Sequence, residues 1–133
     1  YAAPNTTSVV NSKSISKDGG VSIYRGLLGS TKNAVNAKSS VSCESLMLDS
    51  KSRSDTIPIV SAANNNVDIG HEAKIGRISD DAIFYLMSRG LTEEEAREMI
   101  VTGFVEPVAK ELPLEYAVEM NNLIKLELKG TIG

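Results

Sequence analysis

The sequence predicts two parts of different architecture, a mainly β part over residues 1–78 and a small α-helical domain over residues 79–133. Ser, Thr and Asn supply 25 of the first 78 residues but only seven of the last 55. The formal charge changes as well, from +3 (nine Lys or Arg, six Asp or Glu) to −6 (five and eleven). A shift of this kind indicates a change of architecture between Ile78 and Ser79.

Short β-strands are predicted in the first part because apolar and polar residues alternate there with a period of two. The alternating stretches are Val21-Ser22-Ile23, Val41–Ser45 and Val67–Ile75. Clusters of polar residues and glycine, which favour turns, separate them at residues 17–20, 49–52 and 64–66. The pattern fits a sheet that keeps folding back on itself, and it leaves a sandwich, a barrel and a β-helix open.

Capping residues predict two helices at the start of the second part. Ser79 is expected to cap a helix over residues 80–89, whose first-turn acidic residues suit the helix dipole. Gly90 then ends this helix in a left-handed conformation. Thr92 and Glu95 have the spacing of a capping box, which predicts the start of the next helix.

A third helix is predicted from about Leu114 to Leu128, with Pro113 at its first turn and Gly130 at its end. Pro107 and Pro113 are expected to break the helical run before it. Four apolar residues share one stripe of this helix, as in a helix that packs on one side: Ala117, Met120, Ile124 and Leu128.

The composition argues against several classes of protein. Aromatic residues make up 5% of the chain and the net charge is −3, so a nucleic-acid partner is not expected. No apolar stretch approaches the roughly 18 residues that span a membrane. Cys43 is the only cysteine, which excludes an internal disulfide and favours a reducing compartment, the cytoplasm. The chain has no initiator Met and no signal-peptide pattern, and we expect it to be a fragment of a longer protein.

Short motifs along the chain resemble those of the SufB branch of the SufB/SufD family, components of the bacterial sulfur-mobilisation machinery for iron–sulfur clusters. They lie in the family's order and at its spacing: Asn11-Ser12-Lys13-Ser14-Ile15-Ser16, Asp18-Gly19-Gly20, Tyr24-Arg25-Gly26, Cys43-Glu44-Ser45-Leu46, Ser54-Asp55-Thr56-Ile57-Pro58, His71-Glu72-Ala73, Phe84-Tyr85-Leu86-Met87-Ser88-Arg89-Gly90 and Glu111-Leu112-Pro113-Leu114-Glu115-Tyr116-Ala117. The SufB branch is indicated by Cys43-Glu44 and by His71-Glu72-Ala73, since SufD-like chains tend to have His-Gly-Ala at the later site. One departure is Gly70, which stands where the family often has an acid; Asp68 is a nearby substitute.

The resemblance implies a right-handed parallel β-helix followed by a small helical domain, and it implies that the chain is the C-terminal third of a longer family member. It also implies a function: a cytoplasmic scaffold that accepts sulfur and builds a nascent iron–sulfur cluster for transfer to apo-proteins. The implied partners are a SufC-like ABC ATPase on the helical domain, a SufD-like paralogue along the β-helix and a sulfur donor supplied by a cysteine desulfurase system. A homodimer of the fragment is a further expectation, because an open β-helix edge can pair with another chain.

Cys43 is the main candidate for chemistry. A thiolate is a soft ligand for iron and a nucleophile that can accept sulfur as a persulfide. In the resembling family the matching cysteine is regarded as a site of sulfur acceptance or cluster building. The alternative interpretation is a small buried apolar residue that shares a strand face with Val41.

His71 and Glu72 are the other candidates for transient iron binding, with Cys43 and Glu72 as the preferred pair. His71 lies on the apolar face of its strand with Val67 and Ile69, where a lone histidine is more often a hydrogen-bonded core residue than a ligand, although a neutral imidazole can bind iron. Glu72 points to the opposite face, so at most one of the two neighbours is expected to contact a cluster. A cluster normally takes four protein ligands, so the others must come from another chain, from a missing segment or from a small thiol.

A surface for ATPase docking is predicted in the helical domain, where two prolines leave apolar side chains near exposed turns. Its residues are Phe104, Val105, Pro107, Val108, Leu112, Pro113 and Leu114. Simple packing of these side chains against the end of the β-helix is the alternative.

The chain is not expected to be an enzyme. It has no phosphate-binding loop of the Walker type, so ATP hydrolysis must be supplied by the partner. It also has no paired acids of the kind that β-helix lyases and hydrolases use. A thiol hydrolase that pairs Cys43 with His71, and a structural interaction module with an inert cysteine, are the alternatives.

Overall fold

The computed structural model describes residues 1–129 of the chain. These residues divide into two compact units, Tyr1–Arg77 and a second unit that begins at Ile78. The first unit is built of strands and the second of helices. The predicted mainly β fold with a helical C-terminal part is therefore confirmed, while the functions assigned to residues 1–78 and 79–133 stay predictions.

Five parallel strands form the first unit: β1 (Thr7–Ser16), β2 (Val21–Ser30), β3 (Ala37–Met47), β4 (Arg53–Ala62) and β5 (Val67–Arg77). They alternate between two sheets, one with the order β1-β3-β5 and the other with the order β2-β4. The chain returns to the first sheet 31 residues after Ser14, where Ser45 pairs with it. This is the coil of a parallel β-helix, which excludes the sandwich and the barrel; its right-handed sense stays an expectation.

Apolar side chains and serine hydroxyls line the inside of the coils. The buried cluster consists of Leu28, Val41 and Cys43, with Tyr24 and Ile69 packed against it. Nearby, serine hydroxyls hydrogen-bond to one another inside the coils: Ser14 with Ser45 on the neighbouring strand of the same sheet, and Ser54 with Ser45 across the two sheets, both at 2.7 Å. Stacked hydroxyls satisfy each other without large side chains, which explains how a stretch so rich in serine forms a core.

The turns repeat as well. Asn5 and Asn36 have left-handed backbone angles, with φ of 56° and 59°, a conformation that asparagine tolerates better than most residues. Asn36 Nδ2 donates to Asn5 Oδ1 at 3.2 Å, so the two turns stack one coil above the other. In the turn after β3, hydrogen bonds from Ser52 and from the Lys51 backbone lower the pKa of Asp49 to about 2.

Strands β1 and β4 were not predicted, because their sequences lack a clear alternation of apolar and polar residues. In β1, polar Ser8, Ser12 and Ser14 take the inward positions, so the usual contrast between apolar and polar faces is missing. In β4, Pro58 interrupts the pattern, and it is tolerated because β4 lies at the edge of a two-stranded sheet.

Three helices follow: α1 (Asp80–Ser88), α2 (Glu93–Ala109) and α3 (Leu114–Leu128). The predicted Ser79 cap, the left-handed Gly90 (φ 98°) and the Thr92–Glu95 capping box are all confirmed. None of the helices described within residues 1–129 is long and apolar enough to cross a membrane.

One helix prediction was wrong, because Pro107 lies inside α2 and does not break it. Pro107 has no N–H to donate to the Gly103 carbonyl, so α2 loses one hydrogen bond there, and the helix ends two residues later at Ala109. Pro113 does interrupt the run, as predicted, and stands at the N-cap of α3.

The predicted end of α3 at Gly130 lies outside the described residues. The predicted stripe of α3 consists of half-buried residues, Ala117, Met120, Ile124 and Leu128, in a helix that is otherwise mostly exposed.

Candidate functional site

Cys43 lies on β3, the middle strand of the three-stranded sheet, with its side chain inside the coil. Only 4% of the residue is exposed, and Leu28 and Val41 pack beside it. The interpretation of Cys43 as a buried small residue is therefore correct as far as its packing goes. Its environment contains a polar group as well.

That group is the imidazole of His71, on strand β5. Cys43 Sγ lies 3.5 Å from His71 Nε2, although 28 residues separate the two in the chain. In the register of the sheet, Val41 is the direct partner of His71 and Ala73 is the direct partner of Cys43. The thiol and the imidazole are thus diagonal neighbours on one face of the sheet. The histidine side chain is long enough to span the distance between these two positions.

Two residues of the opposite sheet also contact this imidazole. Thr56 Oγ1 lies 3.4 Å from His71 Nε2, and the ring of Tyr24 stacks on His71 with centroids 6.4 Å apart. Sequence reasoning missed both as site residues. The signal was present in two motifs quoted for the family resemblance, Tyr24-Arg25-Gly26 and Ser54-Asp55-Thr56-Ile57-Pro58, which had no assigned role.

Glu72 does not join this group. Its side chain is 63% exposed and pairs with Lys74 at 3.3 Å. Glu72 is the register partner of Ser42, the neighbour of Cys43, and therefore faces the outside of the sheet. The structure brings Cys43 together with His71 but keeps Glu72 on the other face, as strand alternation requires.

The donor set for iron is small. Among residues 1–129 there is no group of three or more His, Cys, Asp or Glu side chains arranged to hold a metal ion. At the interior position the chain supplies one thiol and one imidazole, both of which are iron ligands. A cluster bound there as cargo needs further ligands from outside the described chain.

Cys43 is one strand away from the open end of the β-helix, which we define as the inner faces of the edge strands β4 and β5. Leu28 and Val60 are register partners on one inner face, yet Leu28 is 3% exposed and Val60 is 54% exposed. Likewise Ala73, the direct partner of Cys43, is exposed. The interior is therefore accessible to solvent at β4 and β5, next to the His71–Cys43 pair.

Charged residues form a ladder on the outside of the same sheet. Lys13, Glu44 and Lys74 are register partners on three adjacent strands, and Lys13 Nζ donates a hydrogen bond to Glu44. This hydrogen bond, together with the positive charges of Lys13 and Lys74, holds the pKa of Glu44 below its ordinary value. The ladder lies on the outer face and follows the same strand register that places Cys43 beside His71 on the inner face.

The residues predicted for ATPase docking differ in exposure. Val105 is 8% exposed and belongs to the core of the helical unit, while Leu114 is 76% exposed. The others are half-buried or exposed: Phe104, Pro107, Val108, Leu112 and Pro113. Their assignment to a docking surface stays a prediction, with Leu114 its most exposed member.

Residues 1–104 match the family described as SUF system FeS cluster assembly, SufBD core domain. An iron–sulfur cluster assembly SufBD family protein of Staphylococcus saprophyticus is 56% identical over 133 residues, covering 100% of this chain and 29% of that protein. The iron–sulfur cluster assembly protein SufB of Bacillus subtilis is 55% identical, again over 100% of this chain and 29% of its own length.

The chain thus spans 29% of the length of the relatives it matches. Its placement as their C-terminal third stays a prediction. The family match covers residues 1–104 and the identity to these relatives extends along the whole chain. On this basis the chain belongs to the SufB/SufD family of iron–sulfur cluster assembly proteins.

Proposed function

We propose that this chain forms part of a cytoplasmic scaffold on which iron–sulfur clusters are built, and that Cys43 is the atom that accepts sulfur. The observation that carries the proposal is the Cys43 Sγ–His71 Nε2 pair, 3.5 Å apart and one strand from the open end of the β-helix. An imidazole beside a thiol activates it as a nucleophile. Membership of the family supports a role in cluster assembly, and the named pair supplies the chemistry.

Sulfur acceptance at Cys43 is a transfer between two thiols. The thiol proton moves from Sγ to His71 Nε2, and the thiolate attacks the outer sulfur of a donor protein's persulfide. The S–S bond of the donor breaks, the donor keeps a thiolate, and Cys43 becomes a persulfide. No oxidant or reductant is consumed, because the transferred sulfur keeps its oxidation state.

Burial of Cys43 restricts how a donor reaches it. With 4% exposure, the sulfur is closed to a large partner unless that partner approaches through the open end at β4 and β5. A SufD-like paralogue, or a second copy of the chain, that pairs with these edge strands would complete the interior and supply the missing iron ligands. Iron is cargo in this scheme, so a site that lacks a full ligand set in one chain suits its release.

A SufC-like ABC ATPase is the proposed source of energy for the scaffold, which is not itself an enzyme. Its proposed docking surface includes the exposed Leu114 together with Val108 and Leu112, both 37% exposed. Apolar side chains at the turn between two helices give a rigid partner a defined place to bind.

Glu72 is not part of the Cys43–His71 pair. It faces outward with Lys74, so it contributes to an iron site only if a second chain covers the outside of β5. His71 therefore replaces Glu72 as the residue that works beside Cys43 within one chain.

The second candidate function is a structural interaction module with an inert cysteine. One observation favours it: Cys43 is as buried as its apolar neighbours, Val41 and Leu28. In that case the Cys43–His71 contact serves only to satisfy a half-buried imidazole.

Anaerobic cluster assembly separates the two functions. The protein is incubated with its SufC-like and SufD-like partners, ferrous iron, a cysteine desulfurase and L-cysteine, and cluster transfer to an apo-ferredoxin is measured. The scaffold function predicts that Cys43→Ala abolishes transfer while Ser42→Ala, which changes the neighbouring outward residue, retains it. Equal transfer by Cys43→Ala and the wild type, with both folded by circular dichroism, would establish the structural module.

A further inference from the structure

His71 is held from the side opposite to its own sheet by two residues on neighbouring strands. Thr56 in β4 places Oγ1 3.4 Å from His71 Nε2, and the Tyr24 ring in β2 stacks on the imidazole at an interplanar angle of 25°. Tyr24 and Thr56 are register partners, so they stand side by side on one face of the two-stranded sheet. Both contacts therefore act on one imidazole.

Gly26 makes room for the Tyr24 ring. A Cβ atom at position 26 would lie 2.8 Å from Tyr24 Cε1, closer than such atoms approach, and 3.0 Å from the Tyr24 hydroxyl oxygen, which is a tight contact. A side chain at this position would push the ring out of its place. The Tyr24-Arg25-Gly26 motif thus has a physical reason, which is the placement of an aromatic ring against His71.

We infer that Tyr24 and Thr56 are positioning residues that hold the His71 imidazole with Nε2 directed at Cys43 Sγ. This inference rests on the proposed function of Cys43 as the sulfur acceptor. An imidazole has two different ring nitrogens, and a neighbouring hydrogen bond commonly decides its tautomer and orientation. Here the Thr56 hydroxyl reaches the same nitrogen that faces the thiol. As a donor to Nε2 it favours the tautomer in which Nε2 carries no proton, and it gives up this hydrogen bond when Nε2 takes the proton of Cys43. The Tyr24 ring limits rotation of the imidazole plane.

The orientation matters because Cys43 lies among apolar side chains. Leu28 and Val41 pack against it and offer no group that could take up its proton. When the sulfur attacks a persulfide, its proton must pass to an acceptor within hydrogen-bond reach. His71 Nε2 is such an acceptor, and only while the ring keeps the orientation that Thr56 and Tyr24 impose.

Two matched pairs of variants test the inference. Thr56→Val keeps the shape of the side chain and removes its hydroxyl, whereas Thr56→Ser keeps the hydroxyl. Tyr24→Leu removes the stacked ring, whereas Tyr24→Phe keeps it. Each variant is treated with a cysteine desulfurase and L-cysteine, and the rate of persulfide formation on Cys43 is followed by mass spectrometry. We expect about a tenfold loss of rate in Thr56→Val and Tyr24→Leu, and rates near that of the wild type in Thr56→Ser and Tyr24→Phe.

A spectroscopic measurement tests the positioning of His71 without any sulfur transfer. His71 is the only histidine of the chain, so ¹⁵N-labelled protein gives the ring-nitrogen signals of this residue alone. At one fixed pH we expect a single tautomer in the wild type and in Thr56→Ser, and a mixture in Thr56→Val. Circular dichroism and thermal unfolding verify that all variants are folded.

The outcomes separate the inference from the proposed function. Unchanged His71 signals and an unchanged rate in Thr56→Val would overturn the inference and leave the sulfur-acceptor function standing. Equal loss in Thr56→Ser and Thr56→Val would overturn it too, since packing and not the hydroxyl would then be responsible. If the wild type forms no persulfide, the proposed function fails, and the ¹⁵N signals alone decide whether Thr56 positions His71.

Discussion

Cys43 Sγ and His71 Nε2 lie 3.5 Å apart on adjacent strands of one parallel sheet, each on the inner face of the coil. They are diagonal neighbours, because Val41 pairs directly with His71 and Ala73 with Cys43. A contact of this kind depends on strand register as much as on the two residues themselves. It places the chain's single thiol against its single imidazole.

Replacement of His71 should affect the chemistry of Cys43 more than the fold. We expect His71→Ala to slow persulfide formation on Cys43 at least about tenfold, because the thiol proton loses its acceptor. Lys74→Gln, a change on the outer face of the same strand, serves as the control and should leave the rate unchanged. A His71→Ala protein that accepts sulfur as fast as the control would remove His71 from the mechanism.

The charge ladder should stabilise the first unit in a pH-dependent way. The pKa of Glu44 is lowered by the hydrogen bond from Lys13, so its stabilisation is fully present above the ordinary value of 4.5 and is lost as pH falls through the lower folded value. We expect Glu44→Gln to lower the free energy of unfolding by about 0.5–1 kcal/mol at pH 7. In urea unfolding, the gap between wild type and variant should close in strong acid. A gap that is the same at both pH values would contradict this explanation.

Two glycines of β2 should respond differently to the same substitution. Gly26→Ala forces the Tyr24 ring to move, and we expect it to lower the free energy of unfolding by about 1–3 kcal/mol, as overpacking does. At Gly29, nothing lies within 4 Å of an added Cβ, so Gly29→Ala should be nearly neutral. Denaturant unfolding of the two variants provides the comparison. Equal effects would mean that β2 resists any side chain in place of glycine and that the Tyr24 ring is not the cause.

The capping box at the start of α2 should stabilise the helical unit. The Thr92 side chain accepts from the Glu95 N–H, and the Glu95 carboxylate accepts from the Thr92 N–H at 2.8 Å. We expect Thr92→Ala to cost about 1 kcal/mol, and Thr92→Ser, which keeps the oxygen, to cost much less. Thermal unfolding followed by helical circular dichroism measures both. A smaller loss for alanine than for serine would be inconsistent with capping.

The sequence predicted some parts of this structure well, for physical reasons that are local. The caps at Ser79 and Thr92 and the left-handed Gly90 depend on a few consecutive residues, so they could be identified without knowledge of the fold. The inward direction of His71 and the outward direction of Glu72 followed from strand alternation alone.

The remaining features depend on contacts between distant residues. Strand β1 was missed because stacked serines replace apolar residues inside a β-helix, and this becomes visible only when Ser14 meets Ser45. The contacts of His71 with Tyr24 and Thr56 need the register of both sheets, which no single stretch of sequence specifies. The helix through Pro107 is a further case, since tertiary packing of its buried residues, Val101 and Val105 among them, outweighs the local effect of the proline.

The central claim is that Cys43 accepts sulfur, and one measurement tests it directly. The wild-type chain and a Cys43→Ser variant are incubated anaerobically with a cysteine desulfurase and L-cysteine, and the peptide that contains residue 43 is analysed by mass spectrometry. The proposed function predicts a mass increase of one sulfur atom on the wild-type peptide and none on the variant. A wild-type peptide that stays unmodified while the desulfurase carries its own persulfide would contradict the claim.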